Sequence, residues 1–357
     1  MNLVSIPVVD VRDGGPVRHA REGRARALAL RNAALAWFPP GMRSMAPLLD
    51  RVSRYWLTRA QAPYVDEVRA IAAVLGCSGI WFMNQSYQWF CTALARDEGG
   101  APWLARTLDW PFPGLGRYAE IARMQGPGGE FFSVTWPGFV GVLTAMAPGR
   151  FAAAINQAPL RRRAQSRWLR PYDLMLNSTN TLFRVRAMPP DQLLRRAFET
   201  ARDFAQARHL LETTPIARPV IYTLAGCRPG ERCVIERTET SFNTRLDELG
   251  AANDWLEGLP SWEGRTNASK VLTCSYQEAA EYSRLRREGL ASWRGSFERD
   301  SFGWVERPVL NPYTRIAIEM NPARGILRAL GYELADGDEV ASPVTERCEL
   351  TPDCVAA

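Results

Sequence analysis

Residues 91–110 read CTALARDEGGAPWLARTLDW, two runs of alternating apolar and polar residues about the turn Asp97-Glu98-Gly99-Gly100. Alternation on both sides of a Gly-Gly turn is the pattern of a β-hairpin. With the turn near residue 99, pairing partners sum to 197–199, so Cys91 faces position 106, 107 or 108. A thiol, the cation Arg106 and the carboxylate Asp109 are then carried on neighbouring strands. Arg106 and Asp109 have opposite strand parity, and both can reach Cys91 only where a bulge or a strand end intervenes.

The chain changes character at this hairpin. Before it, residues 21–90 predict three helical segments, REGRARALALRNAALAWF, MAPLLDRVSRYWLTRA and YVDEVRAIAAVLG, separated by Pro39-Pro40-Gly41 and Ala62-Pro63. After it, strands are expected at 91–97, 102–110, 118–125, 130–136, 139–146 and 150–157, an antiparallel meander. Helices follow at about 171–187 and 190–213, strands near 219–225 and 232–246, a helix from about 265 to 288, and a return to the sheet within 308–320. This order suits an α+β protein with two stacked antiparallel sheets and helices outside.

Composition removes many chemistries. Only His19 and His209 are present, which excludes a His-rich metal centre, and Lys270 is the single lysine. No phosphate-binding GxxxxGK[ST] loop occurs. No metal and no cofactor are expected. The formal charge is +6, and arginines interleave with acids through the chain. Clusters such as Arg161-Arg162-Arg163 and Arg284-Leu285-Arg286-Arg287 could hold an anionic surface, but no nucleic-acid motif accompanies them, and none is expected as a partner. The seven cysteines, an odd number thinly spread, suit a reducing compartment. The start MNLVSIPVVDVRDGG has no basic segment followed by an apolar run, so no secretion signal is expected, and the predicted location is cytoplasmic.

A mid-chain thiol needs a base, and histidine is scarce. If the peptide bond between Phe90 and Cys91 is cut, Cys91 gains an α-amine whose ordinary pKa of about 7.7–8.0 suits a general base. The nucleophile then carries its own base, as in the threonine version of this pairing.

The Cys-Thr start, the Arg-x-x-Asp-Trp pattern and the meander resemble the acid ceramidase and N-acylethanolamine-hydrolysing acid amidase group, N-terminal nucleophile hydrolases related to choloylglycine hydrolases and penicillin V acylases. The resemblance runs from about Cys91 to Ala323. It implies a four-layer αββα fold, self-cleavage before Cys91, and hydrolysis of an N-acyl amide through a thioester. It gives Cys91 as nucleophile, Arg106 as stabiliser of the thiolate and anionic intermediate, and Asp109 as the holder of the amine. GAANDWLEGLPSWEGRTNASK resembles the family segment bearing an oxyanion Asn, a Trp and a later Arg, which maps to Asn253, Trp255 and Arg265. Asn156 resembles the second oxyanion Asn of the bile-salt-cleaving branch.

There are departures. The Cys-to-Arg spacing is one residue shorter than in the ceramidase branch, and Thr107 replaces an Asn. The acidic residue that the amidases use after the meander has Asp173 as its only candidate. Each assignment has a plainer alternative: a buried structural cysteine, a cross-strand ion pair for Arg106 and Asp109, turn caps for the asparagines, a surface role for Arg265. Trp110, Phe112, Trp136 and Phe139 are either core or the lining of an acyl pocket.

The expected organisation is a helical segment 1–90, a catalytic segment 91–340 and a tail 341–357, the first two remaining associated after cleavage. The expected partner is a small N-acyl amide, with transient contact to a membrane surface. An acyltransferase using the same cysteine and a non-catalytic basic protein binding anionic lipid or nucleic acid are the alternatives.

Overall fold

The computed structural model describes residues 3–85, 90–163, 166–247, 249–257, 262–263 and 274–352. A short strand β1 (Val8–Asp10) precedes the helices α1 (Gly15–Glu22), α2 (Arg24–Ala36), α3 (Pro40–Arg43), α4 (Ala46–Arg59), α5 (Val65–Leu75) and α6 (Ile80–Met83). The hairpin β2 (Phe90–Glu98) and β3 (Ala101–Asp109) follows as expected. Its turn is Gly99-Gly100, with φ of 60° and 81°, the left-handed pair that a two-residue hairpin matched to strand twist requires. Glu98 pairs with Ala101 and Cys91 with Leu108, the upper end of the expected register.

The meander consists of β4 (Glu120–Gly126), β5 (Gly129–Thr135), β6 (Thr144–Ala147) and β7 (Phe151–Gln157), after a single-turn helix α7 (Leu115–Tyr118). The strand expected from 139 therefore starts at Thr144; Phe139 to Leu143 are buried without joining the ladder. Then come β8 (Leu160–Arg161), α8 (Arg170–Phe183), α9 (Pro190–Thr200), α10 (Phe204–Thr213), β9 (Val220–Ala225), β10 (Arg232–Arg237), β11 (Phe242–Arg245), β12 (Gly250–Ala251) and β13 (Trp262–Glu263). Helix 190–213 is thus two helices. Asp203 caps the second by accepting the Gln206 N–H, which ends the first at Thr200. The chain closes with α11 (Tyr276–Ser292), β14 (Thr314–Asn321), β15 (Ile326–Glu333), β16 (Ser342–Pro343) and β17 (Cys348–Leu350). Ser275 and Glu278 form a capping box at the start of α11, while residues 264–273, the front of the expected helix, lie outside the described residues.

Two sheets result. One has the order β1-β4-β5-β6-β7-β9-β10-β11, the other β12-β2-β3-β14-β15-β16 with β17 also on β15. All pairings within them are antiparallel except β1 with β4, which is parallel and departs from the wholly antiparallel expectation. The segment taken as a tail supplies β16 and β17, both paired to β15. The inner faces meet where β2 and β3 lie on β7 and β9. Outside the first sheet, α9 buries Leu193, Leu194, Ala197 and Phe198, with Phe198 stacked on Phe131 and Phe151 at 5.4 and 4.6 Å. Outside the second, α11 lies on β2 and β12. The layers are α, β, β, α, an α+β fold.

The first 85 residues are fastened to this body by buried polar contacts. His19 Nε2 and Glu120 Oε2 are 2.6 Å apart, and Arg26 reaches the same carboxylate at 2.7 Å. Arg195 meets Glu67 at 2.6 Å, and the Tyr64 hydroxyl donates to Glu199 at 2.5 Å. Replacing Glu120 by Ala removes the acceptor of a buried imidazole and should lower stability by about 1–3 kcal/mol. A thermal unfolding midpoint equal to that of the parent chain would count against this fastening.

Candidate active site

The hairpin register decides which groups meet. Cys91 opposite Leu108 and Ala93 opposite Arg106 place the thiol and the guanidinium on the same face of the sheet, the face turned toward the other sheet. Arg106 Nη2 donates to Cys91 Sγ at 2.7 Å and to the Ile155 carbonyl of β7 at 3.1 Å, and Nη1 donates to Thr144 Oγ1 of β6. Both residues are fully buried.

Asp109 pairs with Phe90 and points its side chain to the opposite face, toward α11. The strand ladder between β3 and β14 breaks between Thr314 and Ile316, beside Asp109, so an irregularity at the strand end does occur, on the partner strand. The carboxylate accepts from Asn311 Nδ2 at 2.7 Å and has Arg286 Nη1 at 3.6 Å. The Asp109 carboxylate thus lies on the α11 side of the sheet, away from the face that carries the Cys91 sulfur.

Arg286 is a residue that sequence reasoning did not place here. It was grouped with Arg284 and Arg287 as a basic surface cluster. In the fold, Arg284 is exposed and paired with Glu281 and Glu288, and Arg287 meets Asp254 at 3.4 Å. Arg286 is wholly buried on the inward stripe of α11 with Ala279, Ser283 and Leu290. The 4-3-4 spacing of that stripe was the available signal. Arg286 Nη1 donates to the Cys91 carbonyl and to Thr92 Oγ1, each at 3.0 Å, and Nη2 donates to Asn253 Oδ1 at 2.9 Å.

Asn253 lies just after β12 and is fully buried. Its Oδ1 accepts the Cys91 N–H at 3.0 Å, and its Nδ2 donates to the Gln157 carbonyl at 2.8 Å. The amide is therefore oriented with its oxygen on nitrogen 91 and its donor toward backbone. Asn156 Nδ2 likewise donates to the carbonyls of Ala251 and Ala252, at 3.2 and 3.1 Å, from the neighbouring β7. Of the two expected oxyanion donors, Asn253 contacts Cys91 directly, and both asparagines donate from Nδ2 to backbone carbonyls. Arg265 lies outside the described residues. Asp173 sits on α8, where it accepts the Arg163 N–H at 3.0 Å. Trp136 stacks on Trp110 and Phe139, and Phe112 meets Trp110 edge-on, with centroids 4.4–5.5 Å apart in the main core.

Electrostatically, burial is the largest influence on the Cys91 thiol and pushes it up; Arg106 and, more weakly, Arg286 pull it down, Asp109 pushes it up, and the Asp109 N–H favours the thiolate. Burial also raises Asp109, against Arg286 and the hydrogen bonds that hold its carboxylate. Among the described residues no cluster of His, Cys, Asp or Glu could hold a metal. The arrangement offers a sulfur beside one cation, a nitrogen beside an amide oxygen and a second cation, and a carboxylate behind both.

No family model matches the chain. Among curated proteins, the N-acylethanolamine-hydrolyzing acid amidase of Cavia porcellus is 29% identical over 232 residues, 60% of this chain and 62% of that protein. A probable acid ceramidase of Caenorhabditis elegans is 29% identical over 218 residues, 54% of this chain and 52% of that one. The chain thus matches between about half and three-fifths of these relatives' own length. Among solved structures, a Caenorhabditis elegans ortholog of the acid amidase aligns with a TM-score of 0.47 at 18% identity, over 65% of this chain and 93% of that one. Two stacked sheets between helical layers define an α+β fold of four layers. By sequence the chain is similar to proteins of the acid ceramidase and N-acylethanolamine-hydrolysing acid amidase type.

Losing Arg286 would strand the Asp109 carboxylate without its cation. Arg286→Met should cost about 3–5 kcal/mol, and Asp109→Asn in the same chain should restore a large part of it. Denaturant unfolding of the two single variants and the double variant measures the coupling, and simple additivity would contradict the pairing.

Proposed function

We propose that this protein is a self-processing cysteine amidase that hydrolyses N-acyl amides with Cys91 as nucleophile. The observation that carries the reading is the pair of contacts made by one residue: Sγ on Arg106 at 2.7 Å and N on Asn253 at 3.0 Å. An ordinary core cysteine needs neither a buried cation at its sulfur nor a buried amide at its nitrogen. The relatives' names point to amide hydrolysis in those proteins.

In processing, Sγ gives up its proton and attacks the Phe90 carbonyl carbon. The C–N bond breaks, and nitrogen 91 takes a proton and leaves as a primary amine. Water then hydrolyses the thioester, giving a carboxylate at Phe90 and a free thiol. In turnover the new amine takes the thiol proton, Sγ attacks the substrate's acyl carbon, and the proton passes to the departing amine. Water releases the acid. Arg106 stabilises the thiolate. Asn253 Oδ1 holds nitrogen 91 before and after the cut. Arg286 and Asp109 fix that asparagine and balance charge behind it. Arg286 near the amine favours its neutral, basic form, and Asp109 opposes this.

A cavity of about 310 Å³ lies where the two segments meet, with Trp56 and Phe82 of the first segment facing Pro159, Leu174 and Trp262 of the second. That shared wall, with the buried fastenings of α1, α5 and α9, supports continued association of the segments after the cut. The apolar residues Leu48, Tyr55, Tyr172, Met175 and Phe183 are exposed on α4 and α8 beside it. They support transient contact with a lipid surface. No described helix is long and apolar enough to cross a membrane. The thin, odd cysteine set supports a cytoplasmic setting.

Intact-mass measurement should find chains of 90 and 267 residues. Cys91→Ala should leave one uncut chain without amidase activity; an uncut parent chain that still turns over amides would sink the mechanism. Replacing Leu48, Tyr172 and Phe183 together by Gln should lower co-sedimentation with lipid vesicles while a water-soluble amide is still hydrolysed. Unchanged sedimentation would remove the membrane contact.

A further inference from the structure

The Asp109 carboxylate is held by a residue from far along the chain. It lies 3.6 Å from Arg286 Nη1, too long for a direct hydrogen bond, while Arg286 donates to the Cys91 carbonyl, Thr92 Oγ1 and Asn253 Oδ1. The short contact comes from Asn311, whose Nδ2 donates to Asp109 Oδ2 at 2.7 Å. Asn311 is itself buried and fixed. Its Nδ2 also donates to the Val309 carbonyl at 3.0 Å, its Oδ1 accepts the Tyr313 N–H at 2.9 Å, and its backbone N–H donates to Thr314 Oγ1 at 3.1 Å. The Oδ1 contact closes an Asx turn ahead of β14, at the irregular strand end beside Asp109.

From Asn311 a line of contacts leads to nitrogen 91: Asp109, then Arg286, then Asn253, whose Oδ1 accepts the Cys91 N–H. Burial raises the Asp109 carboxyl; Arg286 lowers it most and Asn311 next, ahead of Thr314 and Thr107. The charged and titratable groups bearing on Asp109 are Arg286 and Tyr282 of α11, Arg315 of β14 and the Cys91 thiol of β2. The arginines stay charged, and burial pushes Tyr282 up to about 12. Asp109, the thiol and, after the cut, the amine are then the groups that titrate.

We propose that Asn311 is a positioning residue for the reaction at Cys91: its side-chain N–H fixes the Asp109 carboxylate toward Arg286, and through that pair it keeps Asn253 and nitrogen 91 in working geometry. This rests on Cys91 as the nucleophile. The turn needs from residue 311 only a side-chain oxygen, for the Tyr313 N–H, whereas the contact to Asp109 needs a donor. An amide supplies both and an ionised carboxylate only the first, so the two roles can be separated by substitution.

The test uses the full-length protein after self-cleavage and one water-soluble N-acyl amide. Asn311→Ala should lower kcat at least about tenfold with KM little changed. Asn311→Asp keeps the oxygen for the Tyr313 N–H and restores the donor only while it carries a proton. Two adjacent carboxyls resist ionising together, so the ratio of its kcat to that of the parent should be highest in acid and fall at least about tenfold as the pH rises. Titration of the thiol and the amine, common to both chains, cancels in that ratio. Should Asn311→Ala stay uncut, Asn311→Asp processed in acid carries the comparison. A ratio flat with pH overturns the positioning role. Thermal unfolding in the uncut Cys91→Ala chain reads the contact apart from turnover. There Asn311→Asp should lower the midpoint further as the pH rises, because a buried acid whose folded-state pKa is raised loses its stabilising contribution as the pH climbs through that value. Adding Asp109→Asn should shrink this fall. A fall unchanged by Asp109→Asn overturns the contact and the proposal with it. A parent that hydrolyses no amide, while the fall still depends on Asp109, overturns Cys91 as the nucleophile and leaves the contact standing.

Discussion

A guanidinium group fully removed from water must be given acceptors, and Arg106 receives three: a sulfur, a hydroxyl and a backbone carbonyl. These come from both sheets, the sulfur from β2 and the oxygens from β6 and β7. The contact therefore ties the register of the hairpin to the packing of one sheet on the other. A slip of one residue in β2 against β3 would turn either Cys91 or Arg106 to the α11 face and leave a charge buried without partners. The Gly99-Gly100 turn guards against that slip, because its two left-handed residues admit only the pairing seen.

On the other face the same logic repeats with Arg286. Its acceptors are the Cys91 carbonyl, Thr92 Oγ1 and Asn253 Oδ1, with Asp109 behind them. Cys91 is thus gripped from both sides of its sheet, sulfur inward and backbone outward. The role proposed for Cys91, a nucleophile that also supplies its base, would need two atoms presented to two environments, and a strand residue at a sheet end does this by geometry. The side chain goes to one face while its nitrogen, at the strand start, meets groups arriving from the other. Asp109, at the matching end of β3, turns its carboxylate to that outer face, toward Arg286.

The hairpin, the meander and the pairing of Cys91 within positions 106–108 were legible because they rest on local signals, alternation and a Gly-Gly turn. Arg106 and Asn253 contact Cys91 directly, whereas the parity conflict is settled differently from the expectation: Asp109 keeps its opposite parity and turns its carboxylate to the α11 face, toward Arg286. Other features depend on partners distant in the chain. β15 escaped notice, as did the parallel addition of β1, since an edge or closing strand is specified by what it pairs with. Arg286 escaped because a charged residue in a run of charges reads as solvated; only the docking of α11 on β2 separates it from Arg284, two positions away and exposed. The split at Ala201–Asp203 was missed because one apolar periodicity runs through both helices, and only the capping aspartate marks the break.

Burial of Cys91 also bears on the order of events in the proposed mechanism. In the intact chain the Cys91 thiol is pushed up by desolvation, and both asparagines spend their N–H groups on backbone carbonyls. The residue held best is nitrogen 91, not an incoming carbonyl. In the processing proposed above, nitrogen 91 would change from a hydrogen-bond donor fixed in a strand to an amine with a lone pair, beside Asn253 Oδ1 and the Arg286 cation. Under that proposal the groups that position the bond to be cut would also be the groups that position the base, with no second set of residues to assemble for turnover.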